Sequence, residues 1–390
     1  METLENAMPP QSGKKLLRGL LTAVVGLLAA AISAAALGQV FFGEDRTDPV
    51  PPETSAMAVM DAFDAHIQRS TDAALLDLEP IRWIYELSDE NLVAPEPNPA
   101  CFGTTRNPGE LQWLLDAAKE KLGVEDTVFS TDTRILQGSR VSYYLDDSIL
   151  VITWKEVRRW SVYTISEVKV AHASQFRRYV SDGVYGSETL LPPTSMAATV
   201  NAVTACNGDF YMQRSWGVNV YMGEVRNLTK VVDTCFITES GDLLFSRAGE
   251  FDTVEEAQRY VDDNRVRFSL AFGPVLVENG KNVTPSSYPL GEITGHYARS
   301  ALCQLENLHY LLVAVNSESG HSAMPTSYEF ARELEALGVD KAFSLDGGQS
   351  AAIVTNDRLI NRPVFGSQRY MSDIIYFATA IPEERWQEQP

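Results

Sequence analysis

Asp346 is delivered by the apolar run Phe343-Ser344-Leu345 onto Gly347-Gly348, and the chain leaves through Gln349 and Ser350 into Ala351 to Val354. Adjacent glycines let a backbone take positive φ or approach a ligand closely. One reading is therefore a strand end presenting a carboxylate to a cleft. A tight hairpin explains the same residues, because Asp-Gly is a strong hairpin signal. Asn207-Gly208-Asp209-Phe210-Tyr211 repeats the pattern after Val200 to Cys206. Asp346 and Asp209 could be the two carboxylates of glycosyl transfer, one an acid and the other a base or nucleophile. Glu292 is the other candidate for the second carboxylate. It opens a stretch that brings a carboxylate, the imidazole of His296 and the guanidinium of Arg299 within eight residues.

Arginine is the preferred bidentate partner of phosphate. In an acidic chain, Arg299 is the candidate for a local anion site and Arg369 a second contact. The plainer alternatives are an Arg299 paired with Glu292, a solvated Arg369 and a His296 that is only a polar loop residue. Asn316-Ser317-Glu318-Ser319-Gly320-His321-Ser322 is more polar than a connection needs, although helix capping explains part of it. Gly273-Pro274 and Asn279-Gly280 bracket a short strand and read mainly as architecture.

The elements that must position these groups follow from periodicity. Leu111, Leu114, Leu115 and Ala118 predict an amphipathic helix over 109–122, ended by Gly123. Strand content starts near residue 134, with runs at Ser148 to Trp154 and Trp160 to Val170. Later runs are Val200 to Cys206, Val231 to Ile237, Phe268 to Leu270, Pro274 to Glu278, Tyr310 to Val315, Lys341 to Leu345, Ala351 to Thr355 and Asp373 to Ala380. Val254 to Asn264 reads as a helix. Thr326 and Glu329 make a capping box for another, with Phe330, Leu334 and Leu337 on one face and Gly338 at its end. Strand 310–315, this helix and strand 341–345 predict a right-handed parallel crossover. Asp346 then falls at a carboxyl strand end, where α/β sites lie.

The chain has 390 residues, 45% of them apolar, and a formal net charge of −20. With no block of Lys and Arg, nucleic acid and anionic membrane surfaces are excluded as electrostatic partners. Cys101, Cys206, Cys235 and Cys303 contain no C-x-x-C pair, so zinc is not expected. Free thiols are the default, and a disulfide stays open. Gly19 to Phe42 carries no charge and follows Lys14, Lys15 and Arg18. Its length predicts one transmembrane helix, with the N-terminus cytoplasmic and the rest outside. A cleaved signal peptide is the competitor. The expected organisation is a tail at 1–18, the transmembrane helix at 19–42, and a linker with a juxtamembrane helical stalk at 43–100. A lead-in segment at 101–150 and a catalytic domain at 151–382 follow.

Five motifs in order resemble the phosphodiester glycosidase family, the uncovering-enzyme-like glycosidases of N-acetylglucosamine-1-phosphodiesters, in a membrane-anchored bacterial subgroup. The family patterns N-G-G-F-F, G-G-P-x-L-V and P-R-T-A fall at Asn207–Tyr211, Gly273–Val277 and Ala298–Ala301. D-G-R-x-x-G-x-[ST] and N-L-D-G-G-G-S fall at Asn316–Ser322 and Ser344–Ser350. Asp209 stands where the family has a second glycine, Asn316-Ser317-Glu318 replaces D-G-R, and Gln349 replaces a glycine. The expected fold is α+β, a mixed β-sheet flanked by helices behind the membrane helix and stalk. The expected activity is hydrolysis of a sugar-1-phosphate ester in an extracytoplasmic glycan or cell-wall polymer. Catalysis is assigned to Asp346 with Asp209 or Glu292. Asn207, Arg299, Gly347, Gly348, Gln349, Ser350, Arg369 and His296 are the expected substrate contacts. No cofactor is expected. A hard divalent cation on Asp209, Asp346 and Glu318 is the third option. The rival class is a non-catalytic glycan-binding or exopolysaccharide-assembly module.

Overall fold

The computed structural model describes residues 86–131, 139–209, 211–212, 215–290, 293–318 and 323–386. The first strands are β1 (Phe102–Thr105), β2 (Val141–Leu145), β3 (Ile149–Arg158), β4 (Ser161–Val170) and β5 (Phe176–Val180). Next come β6 (Thr204–Asn207), β7 (Val218–Tyr221), β8 (Glu224–Leu228), β9 (Thr234–Thr238), β10 (Leu243–Ser246) and β11 (Val266–Leu270). The last are β12 (Val275–Glu278), β13 (Lys281–Asn282), β14 (Arg299–Glu306), β15 (His309–Asn316), β16 (Lys341–Leu345), β17 (Ile353–Thr355), β18 (Arg358–Leu359) and β19 (Asp373–Phe377). The helices are α1 (Pro108–Leu122), α2 (Pro193–Thr199), α3 (Val254–Asp263), α4 (Ser327–Ala336) and α5 (Glu383–Trp386).

The strands form three sheets. A nine-stranded sheet runs β1-β2-β3-β4-β15-β14-β16-β12-β13, and two five-stranded sheets run β10-β9-β11-β7-β8 and β18-β17-β6-β19-β5. Every ladder is antiparallel. Side chains alternate across each strand, and the nine-stranded sheet buries both faces. On one face Ile152, Ile165, Val313 and Ala342 meet Leu111 and Leu115 of α1 and Phe330 and Leu334 of α4. On the other, Val151, Val168, Leu312, Leu302 and Phe343 meet Ile237, Leu270, Ile353 and Ile375 of the two smaller sheets.

This overturns the α+β expectation of a mixed sheet flanked by helices. The molecule is mostly β-sheet, and its helices are few and short. The reason is visible in the β3–β4 hairpin, whose two-residue loop is Arg159 (φ 48) and Trp160 (φ 67). Positive φ at both positions is the hairpin geometry that Asn-Gly usually signals; here Arg-Trp adopts it, and Trp160 leaves the strand it was expected to start. The predicted crossover is also corrected. β15 and β16 run parallel, but antiparallel β14 lies between them, so they are not neighbours. The carboxyl end of β16 still delivers Asp346 to the sheet edge. β1 and β2, within 101–150, form the edge of the same nine-stranded sheet.

Helices α1 and α4 match their capping signals. Asn107 caps α1, Gly123 closes it at φ 65, and Thr326 and Glu329 form the reciprocal box of α4. The apolar segment 19–42 and the stalk pattern up to residue 85 lie outside the described residues. Residues 86–93 are turns and extended chain. Among the described residues no helix is long and apolar enough to cross a membrane.

Candidate active site

The turn after β16 uses its two glycines for different reasons. A Cβ on Gly347 would sit 2.4 Å from the carbonyl oxygen of Ala298, a backbone atom that cannot yield. Gly348 has φ +59, and its amide donates to that same carbonyl at 2.9 Å. The turn is thereby fixed against the start of β14. Asp346 is left half-buried at the edge, its side chain 16% exposed, with Arg369 Nη1 3.6 Å from its Oδ2. Arg369 Nη1 also donates to Ser350 Oγ at 3.2 Å. Asp346, Arg369 and Ser350 are thus brought together: a carboxylate beside a partly exposed guanidinium at a strand end.

Asn207 is the internal brace of this turn. It is fully buried at the end of β6. Its Nδ2 donates to the Asp346 carbonyl at 2.8 Å, and its Oδ1 accepts from Ser300 Oγ at 2.8 Å and from the Ala352 amide at 3.2 Å. The amide therefore ties β6, β14 and the segment after the turn into one unit. Its role is to hold Asp346, with its own groups already spoken for. Ser300 was not singled out from sequence; only its cross-strand register opposite Leu345 reveals it.

Asp209 lies in a different environment from Asp346. Its Oδ1 accepts from Arg178 Nη2 at 3.0 Å and from the Tyr211 amide at 3.0 Å, and its Oδ2 accepts from the Ala271 amide at 2.8 Å. Arg178 Nε donates to Asp373 Oδ2 at 2.8 Å, and its Nη1 donates to the Ser269 carbonyl. Gly208 permits this, because a Cβ there would meet Asp373 Oδ2 at 2.1 Å. One buried guanidinium thus sits between two buried carboxylates. Burial pushes the Asp373 carboxyl up to about 7 against the opposing pull of Arg178, with Asp209 adding to the rise. Asp209 is consumed by interior donors and is not presented at the edge beside Asp346. Arg178 and Asp373 escaped sequence analysis; an Arg-Arg pair inside the otherwise apolar strand β5 was the available signal.

The remaining expected contacts divide. Arg299 is buried at the start of β14, with Nη2 donating to the Gly295 carbonyl at 2.6 Å and Nε to the Pro325 carbonyl at 3.3 Å. Its guanidinium lies 5.6 Å from the Tyr297 ring centroid. These contacts brace the loop before β14. His296 is exposed, with Nδ1 2.7 Å from the Met324 carbonyl and 4.0 Å from Glu329. Gln349 lies on the turn and donates from Nε2 to Ser367 Oγ and O, both at 3.3 Å. Glu292 lies outside the described residues. Among the described residues no cluster of metal-ligating side chains forms, and Glu318 is paired with Lys155 rather than with either aspartate. All four cysteines are free thiols, and burial raises each one, Cys101 to about 11.

Comparison with known proteins bears on this edge. Residues 200–378 match the sequence model of the phosphodiester glycosidase family. Asn207, Asp209, Arg299, Asp346, Gln349, Ser350 and Arg369 all lie inside that match. Among solved structures, the chain is similar to the zebrafish N-acetylglucosamine-1-phosphodiester α-N-acetylglucosaminidase catalytic domain, auto-inhibited by its pro-peptide. Identity there is 15%, over 59% of this chain and 83% of that one, with a TM-score of 0.48. A hypothetical protein from Synechocystis is 14% identical over 61% of this chain and 64% of that one, with a TM-score of 0.44. No curated protein matches the chain in sequence. Residues 200–378, just under half of the chain, are thus similar to the phosphodiester glycosidase family.

Proposed function

We propose that the chain hydrolyses a sugar-1-phosphate ester, breaking the bond between the anomeric carbon and a phosphodiester oxygen. The observation that carries this is the half-buried Asp346 carboxylate held 3.6 Å from the Arg369 guanidinium on a turn fixed by Asn207. Glycosidases of ordinary ethers need an acid to protonate a poor leaving group and a second carboxylate to stabilise the oxocarbenium-like centre. A phosphate departs as a stable anion, so the acid is dispensable. A single carboxylate facing the anomeric centre and a cation facing the phosphate then cover both developing charges. Asp346 takes the first task as nucleophile or base, and Arg369, steadied by Ser350, takes the second. Asn207, Ser300 and Arg299 hold the scaffold.

We assign the substrate to an extracytoplasmic glycan or cell-wall polymer. Support comes from the uncharged run Gly19 to Phe42 behind Lys14, Lys15 and Arg18, which reads as an export or anchoring signal. Protease treatment of intact cells tests it: an epitope on the C-terminus that survives until the cells are opened would sink the assignment. The activity is tested by incubating the purified chain with UDP-N-acetylglucosamine and a methyl sugar-1-phosphate. We expect release of free sugar by the wild-type chain and its loss in Asp346→Asn. Equal release by both proteins removes Asp346 from the chemistry. Tight binding with no release by either favours a glycan-binding module instead.

A further inference from the structure

Buried polar atoms without partners gather on one part of the nine-stranded sheet. Thr164 Oγ1, Asn316 Oδ1, Asn316 Nδ2 and Glu318 Oε2 are all buried and accept or donate no hydrogen bond. These are four of the twelve such side-chain atoms among the described residues, so they form a cluster and not a scatter. Thr164 is 0% and Asn316 1% exposed. Leaving such groups unpaired costs about 1–3 kcal/mol each, which a folded chain tolerates where something else completes them.

Register places them together and carries the row to Leu345, the residue before Asp346. Lys155 pairs with Thr164, Thr164 with Ala314, Ala314 with Ser300 and Ser300 with Leu345. Directly opposed residues share a face, so this row lies on the face turned toward the smaller sheets. Asn316 is two residues beyond Ala314 on that face. Lys155 Nζ holds Glu318 Oε1 at 2.6 Å, with both side chains partly exposed. Ser300 in turn contacts Asn207, the brace of the Asp346 turn. The strand order is β15-β14-β16, so Asn316 and Asp346 end strands two spacings apart, about 10 Å.

We propose that Lys155, Thr164, Asn316 and Glu318 form the subsite that takes the hydroxyls of the sugar ring, with its anomeric carbon turned toward Asp346. The assignment of the anomeric end rests on the function proposed above. The chemistry of the cluster selects a sugar over an anion. Lys155 is already neutralised by Glu318, so a phosphate gains little there. A free carboxylate oxygen accepts, an unpaired amide both donates and accepts, and a threonine hydroxyl does either. Sugar hydroxyls have that same dual character, and neighbouring ones can engage the amide and the carboxylate together. Lys155 and Glu318 form the partly exposed rim, and the buried Asn316 and Thr164 the floor. The phosphate is left to Arg369.

The test uses the full chain and four variants: Glu318→Gln, Asn316→Leu, Lys155→Met and Arg369→Met. Calorimetric titration with N-acetylglucosamine, glucose and inorganic phosphate is paired with KM and kcat on UDP-N-acetylglucosamine. We expect Glu318→Gln and Asn316→Leu to weaken sugar binding and raise KM about tenfold, as for loss of one such hydrogen bond, with phosphate binding unchanged. Arg369→Met should show the reverse pattern. Glu318→Gln keeps the shape of the side chain, so it still reports if Asn316→Leu fails to fold. Unchanged sugar binding and KM in a folded Glu318→Gln chain would mean the cluster holds only interior water and would overturn the subsite while leaving the hydrolase intact. Sugar binding that Glu318→Gln abolishes, with no turnover by the wild-type chain, would retain the subsite and refute the hydrolase. Failure of the wild-type chain to bind either sugar overturns the subsite.

Discussion

Asp346 and Asp209 are introduced by nearly the same sequence device, a strand ending in a carboxylate with glycine beside it, yet they inhabit opposite environments. Asp346 is half-buried at a sheet edge, with a partly exposed arginine 3.6 Å away. Asp209 is buried, with Arg178 and two backbone amides on its oxygens. In the first region the glycines bring a turn against the Ala298 carbonyl and leave the carboxylate facing outward. In the second, Gly208 makes room for the Asp373 carboxylate and closes an ion cluster inside the molecule. The same local device thus leaves one carboxylate at an exposed edge and encloses the other among interior donors.

Substitutions can break this distinction. The largest effect should be at Asp346→Asn. The loss of turnover expected for one acid-base or nucleophilic group is about 10²–10⁴-fold, while the denaturation midpoint should stay near that of the wild type. A large fall in stability with little loss of rate would reverse the contrast between the two regions. Arg178→Met should do the opposite. Two buried carboxylates lose their shared cation, and breaking a buried pair costs about 3–5 kcal/mol. Urea unfolding measures it; a cost below about 1 kcal/mol would show that the cluster is solvated and that Asp209 is accessible after all.

The sequence exposed the Asp346 turn because glycine pairs, strand-end position and motif order are local or ordered properties. It located helices α1 and α4 for the same reason: Gly123 and the Thr326–Glu329 box are local chemistry. What it missed was pairing. Whether β15 and β16 are neighbours depends on β14 inserting between them, and no property of residues 310–345 read as a run encodes that register. Arg178 and Asp373 are 195 residues apart, and Ser300 meets Asn207 across 93. The first contact needs β5 and β19 to pair and the second needs two sheets to stack, so the partner that consumes Asp209 could not be read beside it. The Arg159-Trp160 turn was hidden because residues of ordinary strand preference take positive φ there.

A pH titration sharpens the contrast at the next level. The folded Asp373 carboxyl, raised to about 7 chiefly by burial, binds its proton more tightly than in the unfolded chain, where the ordinary value is near 3.8. Folding is therefore favoured while the unfolded carboxyl is still protonated, below about 4. That contribution declines as pH rises between the two values and is gone once pH passes about 7. Each unit of difference corresponds to about 1.4 kcal/mol. Urea midpoints at pH 5 and pH 8 should show the wild-type chain weaker at pH 8, and Asp373→Asn should lessen that difference. A wild-type chain with equal midpoints would place Asp373 in the ordinary carboxylate range and weaken the case for a buried cluster.

The smallest effects separate the two glycines of the Asp346 turn. Gly348→Ala keeps open space around its new methyl group but must hold φ +59, a strain of about 1 kcal/mol for a non-glycine residue. Its partners stay in place, so turnover should fall only slightly. Gly347→Ala has an unremarkable φ of −97, yet its methyl meets the Ala298 carbonyl oxygen at 2.4 Å. Either the turn or the start of β14 must shift, and the displacement passes directly to Asp346 on one side and Arg299 on the other. Misplacement of a reacting group by about 1 Å costs on the order of 10²-fold in rate. We expect Gly347→Ala to lower kcat far more than Gly348→Ala at similar stability. If Gly348→Ala proves the more damaging to kcat, then backbone conformation and not close approach is what the paired glycines provide, and the Ala298 carbonyl is not the stop that aims the carboxylate.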